Sequence, residues 1–511
     1  MNAVALNGLV ALPAAFVALT LLAGRRSQQV GVAVALAGAV GALLWSVWAV
    51  AISTQALDGS HVDHVWVAAL DIRWHLGLDG VSGPLVLMTT VVFGCALLSI
   101  IRRAPEGGSA TALAALLLLI EAGVLGSFVA LDMVLFFVFF EVALIPMWFV
   151  IDQWGDAQGH EAEARRRRAA TRFLVFTVLG SALMLVGFVL VRADAGTFDI
   201  VVLASTYDPA GATAVSAAAL IALGLAIKTP LWPLHIWLPD AHSTAPTVGS
   251  VVLAAVLLKL GTYGFIRFWM PVTDPDWSVL VGFVAGLAVV GIVYAALACL
   301  AQGDLKRLVA YSSVGHMGFV VLAVATFTVG GVQAAVFASV AHGLITGLLF
   351  FLAGAVKGRF GTGDLARLGA LYGRVPRLSG VVAFAAMASL GLPGLAGFWG
   401  EMLAVRSALY PAGALPRGTF VVLAVIAAFG VILTSAYFLA LMRSMLQAGG
   451  GATGPREPNT SSGPGVSTPD VGALEWLVWS PLIVGTVVLG VVPGLLLSPV
   501  AEGTSAFLVR L

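Results

Sequence analysis

The sequence predicts an all-α polytopic membrane protein with about 14 transmembrane helices. Of its 511 residues, 60% are hydrophobic and only 10% are charged, and the mean hydropathy is +1.02. Soluble domains carry about 25% charged residues, so most of this surface must face lipid or other protein. Apolar runs such as residues 114–120 do not alternate with a period of two, which excludes a transmembrane barrel.

Charge and cysteine content exclude several other classes of protein. The formal net charge is +1, which offers no electrostatic basis for binding nucleic acid. The two cysteines, Cys95 and Cys299, lie in separate apolar runs and suit neither a disulfide framework nor an iron–sulfur or zinc site. The sequence therefore predicts no cofactor and no metal in this chain.

Fourteen apolar segments are long enough to cross a bilayer, because a spanning helix needs about 20 residues. They cover residues 4–24, 29–52, 84–101, 111–130, 131–151, 170–192, 213–239, 246–270, 277–302, 306–328, 331–355, 377–403, 419–445 and 475–497. The first segment has no cleavage site followed by a polar mature chain, so we expect a retained helix. Alternating apolar residues within 65–83 predict a short hairpin on the outer surface.

These segments suggest five regions. They are an N-terminal three-helix region with the hairpin (1–110), a five-helix half-channel repeat (111–270), a second repeat (277–445), a flexible inner loop rich in Gly, Pro, Ser and Thr (446–474) and a C-terminal helix (475–511). Of the 26 basic residues, 18 fall in loops that follow odd-numbered segments and 6 in the opposite loops. By the positive-inside rule, both termini should face outside a bacterial inner membrane.

Several ionisable residues stand inside the apolar segments, where one charge costs about 2.5–3.5 kcal/mol. They are Glu121, Glu141, Lys228, Lys259, His316, His342 and Glu401. A single such residue is often half of an ion pair that locks two helices, and this alternative stays open for Glu121. A set spread over seven helices instead predicts a proton path. Only four of the 26 basic residues are lysines, and two of these four lie in the set. Burial shifts the pKa of a lysine readily, whereas arginine stays charged.

Helix breaks flank two of these residues. Lys228 precedes Pro230 and Pro233, and Glu401 follows Pro393 within a glycine-rich stretch. Proline removes a backbone hydrogen bond and clashes with the preceding turn. The seventh and twelfth helices should therefore be discontinuous, as in transporters that build ion sites at helix breaks. A simple packing kink is the alternative for each break taken alone.

The spacing of these residues indicates an internal repeat. Lys228 and Glu401 are 173 residues apart, and the same offset from Glu141 falls two residues from His316. Each pair is five helices apart. Since five is odd, the two units have opposite orientations, which predicts an inverted repeat with sites at the midplane. Lys259 has no ionisable counterpart at this offset, so the repeat is asymmetric in charge.

Several motifs occur together and in order. They are FEVALIPM at 140–147, KTPLWPLHIWLPDAHSTAP at 228–246, Lys259, DLKRLVAYSSVGHMG at 304–318 and GLPGLAGF at 391–398. This set resembles the antiporter-like subunits of respiratory complex I, a family also related to multisubunit cation/proton antiporters. Within that family, glutamate at position 401 resembles the branch that carries glutamate, not lysine, on its twelfth helix.

The resemblance implies a proton-translocating subunit of NADH–quinone oxidoreductase. In that likeness Glu141 and Lys228 form a buried ion pair, Lys259 exchanges protons centrally, Glu401 is the exit group, and His316 and His342 line the hydrated path. It also implies that NADH, FMN, iron–sulfur clusters and quinone bind in partner subunits, and that the other two antiporter-like chains and lipid are its neighbours.

Three questions remain open at this level. His235 and His242 flank the inner end of the seventh helix, where they shape proton uptake or only the loop; a metal site there lacks a third and fourth ligand. A subunit of a sodium/proton antiporter is the alternative within transport. A structural spacer between pump modules is the alternative from another class.

Overall fold

The computed structural model describes residues 3–53, 61–102, 104–156, 161–447 and 469–505. Within them, 13 helices are long and apolar enough to cross a membrane, and a further, broken helix completes the 14 predicted spans. The fold is all-helical, as predicted. Most of the predicted flexible loop lies outside the described residues, and the five-region division remains a prediction.

We number the spans 1 to 14 in chain order. Spans 1–6 are Ala3–Gly24, Gln28–Ile52, Ser82–Ile100, Ala110–Val129, Met133–Trp154 and Ala162–Ala195. Span 7 consists of Gly211–Lys228 and Leu238–Thr244, and span 8 is Thr247–Val272. Spans 9–11 are Ser278–Leu300, Leu305–Val324 and Val329–Phe360. Span 12 consists of Pro376–Ser389 and Ala396–Leu409, and spans 13 and 14 are Arg417–Leu446 and Ala473–Val491. Short helices cover Ile200–Thr206, Leu371–Arg374 and Gly494–Ser505.

The starts of spans 5 and 10 are built alike. Asp132 precedes span 5 and accepts hydrogen bonds from the amides of Val134 and Leu135, which would otherwise lack partners at a helix start. Asp304 caps span 10 in the same way, 172 residues later. Each aspartate also forms an isolated β-bridge to a second aspartate two spans later. Asp132, before span 5, pairs with Asp199, after span 6, and Asp304, before span 10, pairs with Asp364, after span 11.

These two capped starts lie on opposite faces of the protein, because five spans separate them. The same device therefore closes spans 5 and 6 on one face and spans 10 and 11 on the other. This geometry supports the predicted inverted repeat independently of the buried charges.

The predicted outer hairpin is present. Strands β1 (His61–Val67) and β2 (Ile72–Gly77) pair antiparallel. The amide of Arg73 donates to Asp132, and the carbonyl of His75 accepts from the amide of Leu131. The hairpin is thereby fixed to the start of span 5. We call this side the hairpin face and the opposite side, which carries Arg165–Arg168 at the start of span 6, the arginine-rich face.

Spans 8 and 11 form the centre of the protein. In the most apolar stretch of spans 8 and 11 every residue is buried, whereas in the most apolar stretch of spans 1, 13 and 14 only 28% of the residues are buried. Lys259 and His342 lie on these two central spans. Two of the predicted candidate residues are thus in the part of the fold most remote from solvent and lipid.

Three details of the predicted spans are wrong. Span 12 continues to Leu409, so Glu401 lies early in its second helix and not near the end of the span. Arg267, counted among the loop cations, is buried in span 8. Lys306, also counted there, is buried in the first turn of span 10. In both cases an aspartate partner, described below, offsets the cost of burying the cation; Asp79 is buried, whereas Asp156 is 29% exposed.

A buried row of ionisable residues

The first helix break positions Lys228. The first helix of span 7 ends at Lys228, and the second begins at Leu238, because Pro230 and Pro233 cannot continue the backbone ladder. Trp237 partly repairs the break, since its indole nitrogen donates to the carbonyl of Ile227 at 3.0 Å. The predicted discontinuity is therefore confirmed.

A serine connects Glu141 and Lys228. The ammonium nitrogen of Lys228 lies 3.6 Å from the nearer Glu141 oxygen and donates to the hydroxyl of Ser181 at 2.5 Å. That hydroxyl in turn donates to Glu141. Lys228 also lies 3.4 Å above the ring of Phe140, a favourable cation–π contact. The pair thus has three spans contributing to it.

Span 8 places Lys259 with an unusual backbone. Two π-helical segments, Leu253–Leu257 and Phe265–Trp269, flank the α-helical segment Leu258–Gly264. Such insertions occur often at functional sites. Lys259 is completely buried, and its nitrogen donates to the carbonyl of Ala254 at 2.6 Å. The same nitrogen lies 2.5 Å from Nδ1 of His342.

Spans 7 and 8 meet at a glycine between the two lysines. A Cβ on Gly261 would lie 2.4 Å from the hydroxyl of Thr229 and 2.9 Å from its amide nitrogen. Thr229, the residue directly after Lys228, is fully buried and its hydroxyl has no partner among the described residues. Only a residue without a side chain allows this approach of the break to span 8.

The second break carries Glu401. Span 12 is interrupted between Ser389 and Ala396, where Gly391 and Gly394 adopt positive φ angles of 81° and 92°. Nδ1 of His316 lies 2.9 Å from a Glu401 oxygen, and its Nε2 lies 3.2 Å from the hydroxyl of Ser389. His316 and Glu401 form the counterpart of Glu141 and Lys228, with the carboxylate and the base exchanged between the two positions.

Two histidines join the central lysine to Glu401. The rings of His316 and His342 are 5.4 Å apart between centroids. A cavity of about 20 Å³ lies among His316, His342 and Glu401. A water molecule needs about 10–15 Å³ and two to four polar partners, so this cavity accommodates one. The order Lys259, His342, His316 and Glu401 therefore forms a continuous polar row through the core.

The remaining candidates lie outside this row. Glu121 is completely buried, and neither carboxylate oxygen has a hydrogen-bond partner among the described residues. The alternative of an ion-pair lock for Glu121 gains no support. His235 packs edge-on against Tyr294 and Tyr311. His242 is fully buried and stacks on Phe350 at 4.7 Å.

Among the described residues, no third metal-capable side chain groups with His235 and His242. Within the described ranges, the one group of three metal-capable side chains is Asp63, His75 and Asp199, at the hairpin. In this group His75 lies 2.9 Å from Asp199, and Asp63 forms two hydrogen bonds with Arg73. Both carboxylates thus already have cationic or hydrogen-bonding partners within the protein.

Sequence reasoning missed several polar partners. Ser181 contacts the pair of Glu141 with Lys228 and Ser389 contacts the pair of His316 with Glu401, yet serine is too common in membrane helices to stand out in a sequence. The buried ion pair of Arg267 with Asp79 was also missed. Asp79 falls within the segment predicted to form the hairpin (65–83), and no periodicity links an aspartate there to an arginine 188 residues later.

The chain matches a known family over most of this site. Residues 130–434 match the family described as NADH:quinone oxidoreductase/Mrp antiporter, TM. NADH-quinone oxidoreductase subunit M of Rhodobacter capsulatus is 39% identical over 85% of this chain and 81% of its own length. The chain belongs to this family. Within the family, NADH-ubiquinone oxidoreductase chain 4 of Marchantia polymorpha is 33% identical over 84% of this chain and 81% of its own length.

Solved structures agree with this membership. A chain of respiratory complex I from Thermus thermophilus with bound NADH superimposes with a TM-score of 0.83 at 30% identity, covering 98% of this chain and 99% of that one. A chain of the Mrp complex from Dietzia sp. DQ12-45-1b gives 0.82 at 22% identity, covering 98% and 97%. The second likeness shows the fold alone. The resemblance drawn from the motifs at 140–398 is confirmed at the level of the family.

Proposed function

We propose that this chain translocates protons as a membrane subunit of an NADH–quinone oxidoreductase, in the position of subunit M. The row from Lys259 through His342 and His316 to Glu401 carries the proposal. Its members are ionisable side chains, are mostly buried, and lie within reach of one another or of a single water. Two static ion pairs, Glu141 with Lys228 and His316 with Glu401, would not require the additional buried contact of Lys259 with His342.

Protons move along the row in short steps. Lys259 gives a proton to Nδ1 of His342, and the water-sized cavity connects that ring with His316 and Glu401. The first step breaks an N–H bond of Lys259, forms one on His342 and leaves Lys259 as a neutral amine ready for the next proton; the last breaks an N–H bond of His316 and forms an O–H bond on Glu401. Glu401 releases the proton toward the hairpin face, which by the distribution of basic residues is the outside.

The Glu141 and Lys228 pair controls Lys259 electrostatically. When the pair opens, the ammonium group of Lys228 is less well compensated and repels a proton on Lys259. Moving a proton against the membrane potential costs about 2.3 kcal/mol per 100 mV. Because the site has a low effective dielectric constant, a charge displaced by a few ångströms is worth energies of that size. Ser181 transmits the displacement, since it bonds to both partners.

This chain performs no redox chemistry in the proposal. Its two cysteines, Cys95 and Cys299, are too few for an iron–sulfur cluster. NADH, FMN, the clusters and quinone bind in partner subunits, and the two other antiporter-like chains and lipid surround this one. The assembly lies in a bacterial inner membrane with both termini outside.

Replacement of Lys259 tests the function. In inverted membrane vesicles that contain the whole complex, Lys259→Met should lower NADH-driven proton pumping by at least about tenfold, because methionine keeps the stem but carries no proton. Arg443→Ala removes an exposed cation from span 13 and should leave pumping unchanged. Pumping at the normal rate with Lys259→Met would favour a structural spacer.

The antiporter alternative has a separate outcome. If the assembly purified with this chain oxidised no NADH but exchanged sodium for protons across vesicles, the chain would belong to a sodium/proton antiporter. Native mass spectrometry of the same preparation identifies the neighbouring subunits directly. Redox subunits in that preparation support the proposal.

A further inference from the structure

The two lysines that do not belong to the site described above converge on one aspartate. The chain contains four lysines, and Lys228 and Lys259 belong to the site already described. The nitrogens of Lys306 and Lys357 lie 3.3 Å and 2.7 Å from the same oxygen of Asp156. These three residues come from the loop after span 5, the start of span 10 and the end of span 11. They form a second titratable cluster, on the arginine-rich face.

This cluster borders a large cavity. Asp156 and Lys357 line a cavity of about 650 Å³, together with residues at the start of span 8 and the end of span 11. Its volume is enough for many waters, and its lining is partly charged. Lys306 closes the inner end of the cluster, since it is 6% exposed and donates to the carbonyl of Ala245 at 3.0 Å.

His242 lies near the carbonyl that binds Lys306. It is three residues before Ala245, it is fully buried, and neither ring nitrogen has a hydrogen-bond partner among the described residues. The carbonyl of Ala245, which accepts from Lys306, also accepts from the hydroxyl of Ser250, and that hydroxyl bonds to the carbonyl of His242. A buried imidazole with two unused nitrogens on this side of the protein is suited to accept a proton from the cluster and pass it toward Lys259.

The carboxyl group of Asp156 stays ionised at neutral pH. Burial raises the pKa of Asp156, but the charges of Lys306 and Lys357 outweigh burial, so this pKa lies below its usual value. The carboxylate therefore holds the two ammonium groups at the cavity. Without it, two lysines this close would repel each other.

We propose that Lys306, held by Asp156 and Lys357 at this cavity, is the group through which protons pass from the arginine-rich face to His242 and Lys259. This inference rests on the proposed function. In the step, an N–H bond of Lys306 breaks, a water carries the proton, and an N–H bond forms on His242. Lys306 then regains a proton from water in the cavity, with Asp156 orienting it.

A purely structural cluster is the competing explanation. Asp156 bonded to Lys306 and Lys357 could fasten the first repeat to the second and carry no proton. Arginine separates the two explanations, because it preserves the charge and the contact with a carboxylate but does not release its proton at physiological pH. A fastening survives this replacement, whereas a proton relay does not.

The first experiment compares conservative variants in the whole complex. We expect Lys306→Arg to lower NADH-driven proton pumping in inverted vesicles about tenfold or more, while the amount of assembled complex stays normal. Arg307→Lys, the matched control at the next residue, should pump normally. Normal pumping with Lys306→Arg overturns the proposal. If Lys306→Arg fails to assemble, the measurement below decides.

The second experiment examines access to the cavity without altering the cluster. Ala355 lines the cavity, and both native cysteines are buried. Ala355→Cys should react with a charged, membrane-impermeant thiol reagent added from the arginine-rich face and should then lose pumping. Val178→Cys, on an exposed surface of span 6, is the control. If Ala355→Cys reacts no faster than this control, or if it pumps fully after complete reaction, protons do not enter through this cavity, the proposed inlet, and the proposal is overturned.

Lys259→Met distinguishes failure of the inlet from failure of the proposed function. If Lys259→Met abolishes pumping while Lys306→Arg and the modified Ala355→Cys variant pump normally, only the inlet is wrong. If Lys259→Met itself pumps normally, the proposed function fails as well.

Discussion

The side-chain nitrogen of Lys259 lies 2.5 Å from Nδ1 of His342, deep between spans 8 and 11. The same nitrogen donates to the carbonyl of Ala254, five residues earlier in the π-helical segment. This carbonyl holds one N–H of the lysine while another points at the histidine. The π-helical segment of span 8 therefore orients Lys259, the first residue of the row.

His342→Ala should interrupt the row while leaving Lys259, His316 and Glu401 in place. We expect proton pumping in inverted vesicles to fall about tenfold or more, since general acid–base groups contribute factors of roughly 10² to 10⁴. His64→Ala, in the exposed part of the hairpin, is the matched control. Equal pumping by the two variants would show that His342 carries no proton.

Ser181→Ala should weaken the coupling between Glu141 and Lys228. It removes a hydroxyl that bonds to both partners, and hydrogen bonds to charged groups contribute about 1.5–3 kcal/mol. We expect a decrease in pumping of about tenfold with normal assembly. Thr177→Ala, one turn earlier in span 6, removes a hydroxyl that bonds only to the backbone of its own helix. The coupling role fails if both variants pump alike.

Gly261→Ala should distort the contact between spans 7 and 8. Its Cβ would collide with backbone and hydroxyl atoms of Thr229, and overpacking of this kind costs about 1–3 kcal/mol. A lower thermal unfolding temperature of the purified complex is expected, with reduced pumping. Gly282→Ala in span 9 meets no atom within 4 Å and serves as the control. An unchanged unfolding temperature for Gly261→Ala would contradict the close approach.

Asp79→Ala should destabilise the protein strongly. It leaves Arg267 buried without its carboxylate, and breaking one side of a buried pair costs about 3–5 kcal/mol. The exposed pair of Arg168 and Glu161 gives the comparison, since Glu161→Ala should change stability by less than about 1 kcal/mol. Replacing both members, Asp79→Ala with Arg267→Met, should recover part of the loss. No recovery would mean that Asp79 acts mainly as a helix cap.

The attachment of the hairpin should depend on pH. Burial raises the pKa of Asp199, but hydrogen bonding and the charge of His75 more than compensate, so this pKa lies below its usual value. A depressed carboxyl pKa stabilises the folded state above the unfolded pKa of about 3.9, and this contribution disappears as the pH falls through the lower folded pKa. Hydrogen exchange at the amide of Leu131, which binds the hairpin, should therefore accelerate below about pH 4. Asp199→Asn should exchange faster already at neutral pH and lose this dependence.

Much of the fold could be predicted because the bilayer imposes simple rules. Length and apolarity gave the spans, and Pro230, Pro233 and Pro393 predicted the two breaks because proline has the same effect in every helix. The candidate residues at 228, 259 and 401 stood out because charges are costly among apolar neighbours. Partners such as Ser181 and Ser389 could not be predicted, since their importance comes from positions fixed only after the helices pack.

Burial was harder to predict near the ends of spans. Lys306 and Arg267 lie close to predicted boundaries, and a cation there usually reaches water. Their burial depends on Asp156 and Asp79, which are far away in sequence. The order in which Lys259, His342 and His316 contact one another also required the structure, because spacing along the chain says nothing about the distance between helices.

The cavity among His316, His342 and Glu401 makes one step of the row depend on a single water. With a volume of about 20 Å³, it holds one water and not a chain of waters. Proton transfer at this point therefore depends on whether that water is present, and not on the width of the cavity. An occupied cavity completes the connection, and an empty one interrupts it although no side chain has moved. A proton pump must never connect both faces of the membrane at once. Loss of one water from this cavity is enough to break the connection.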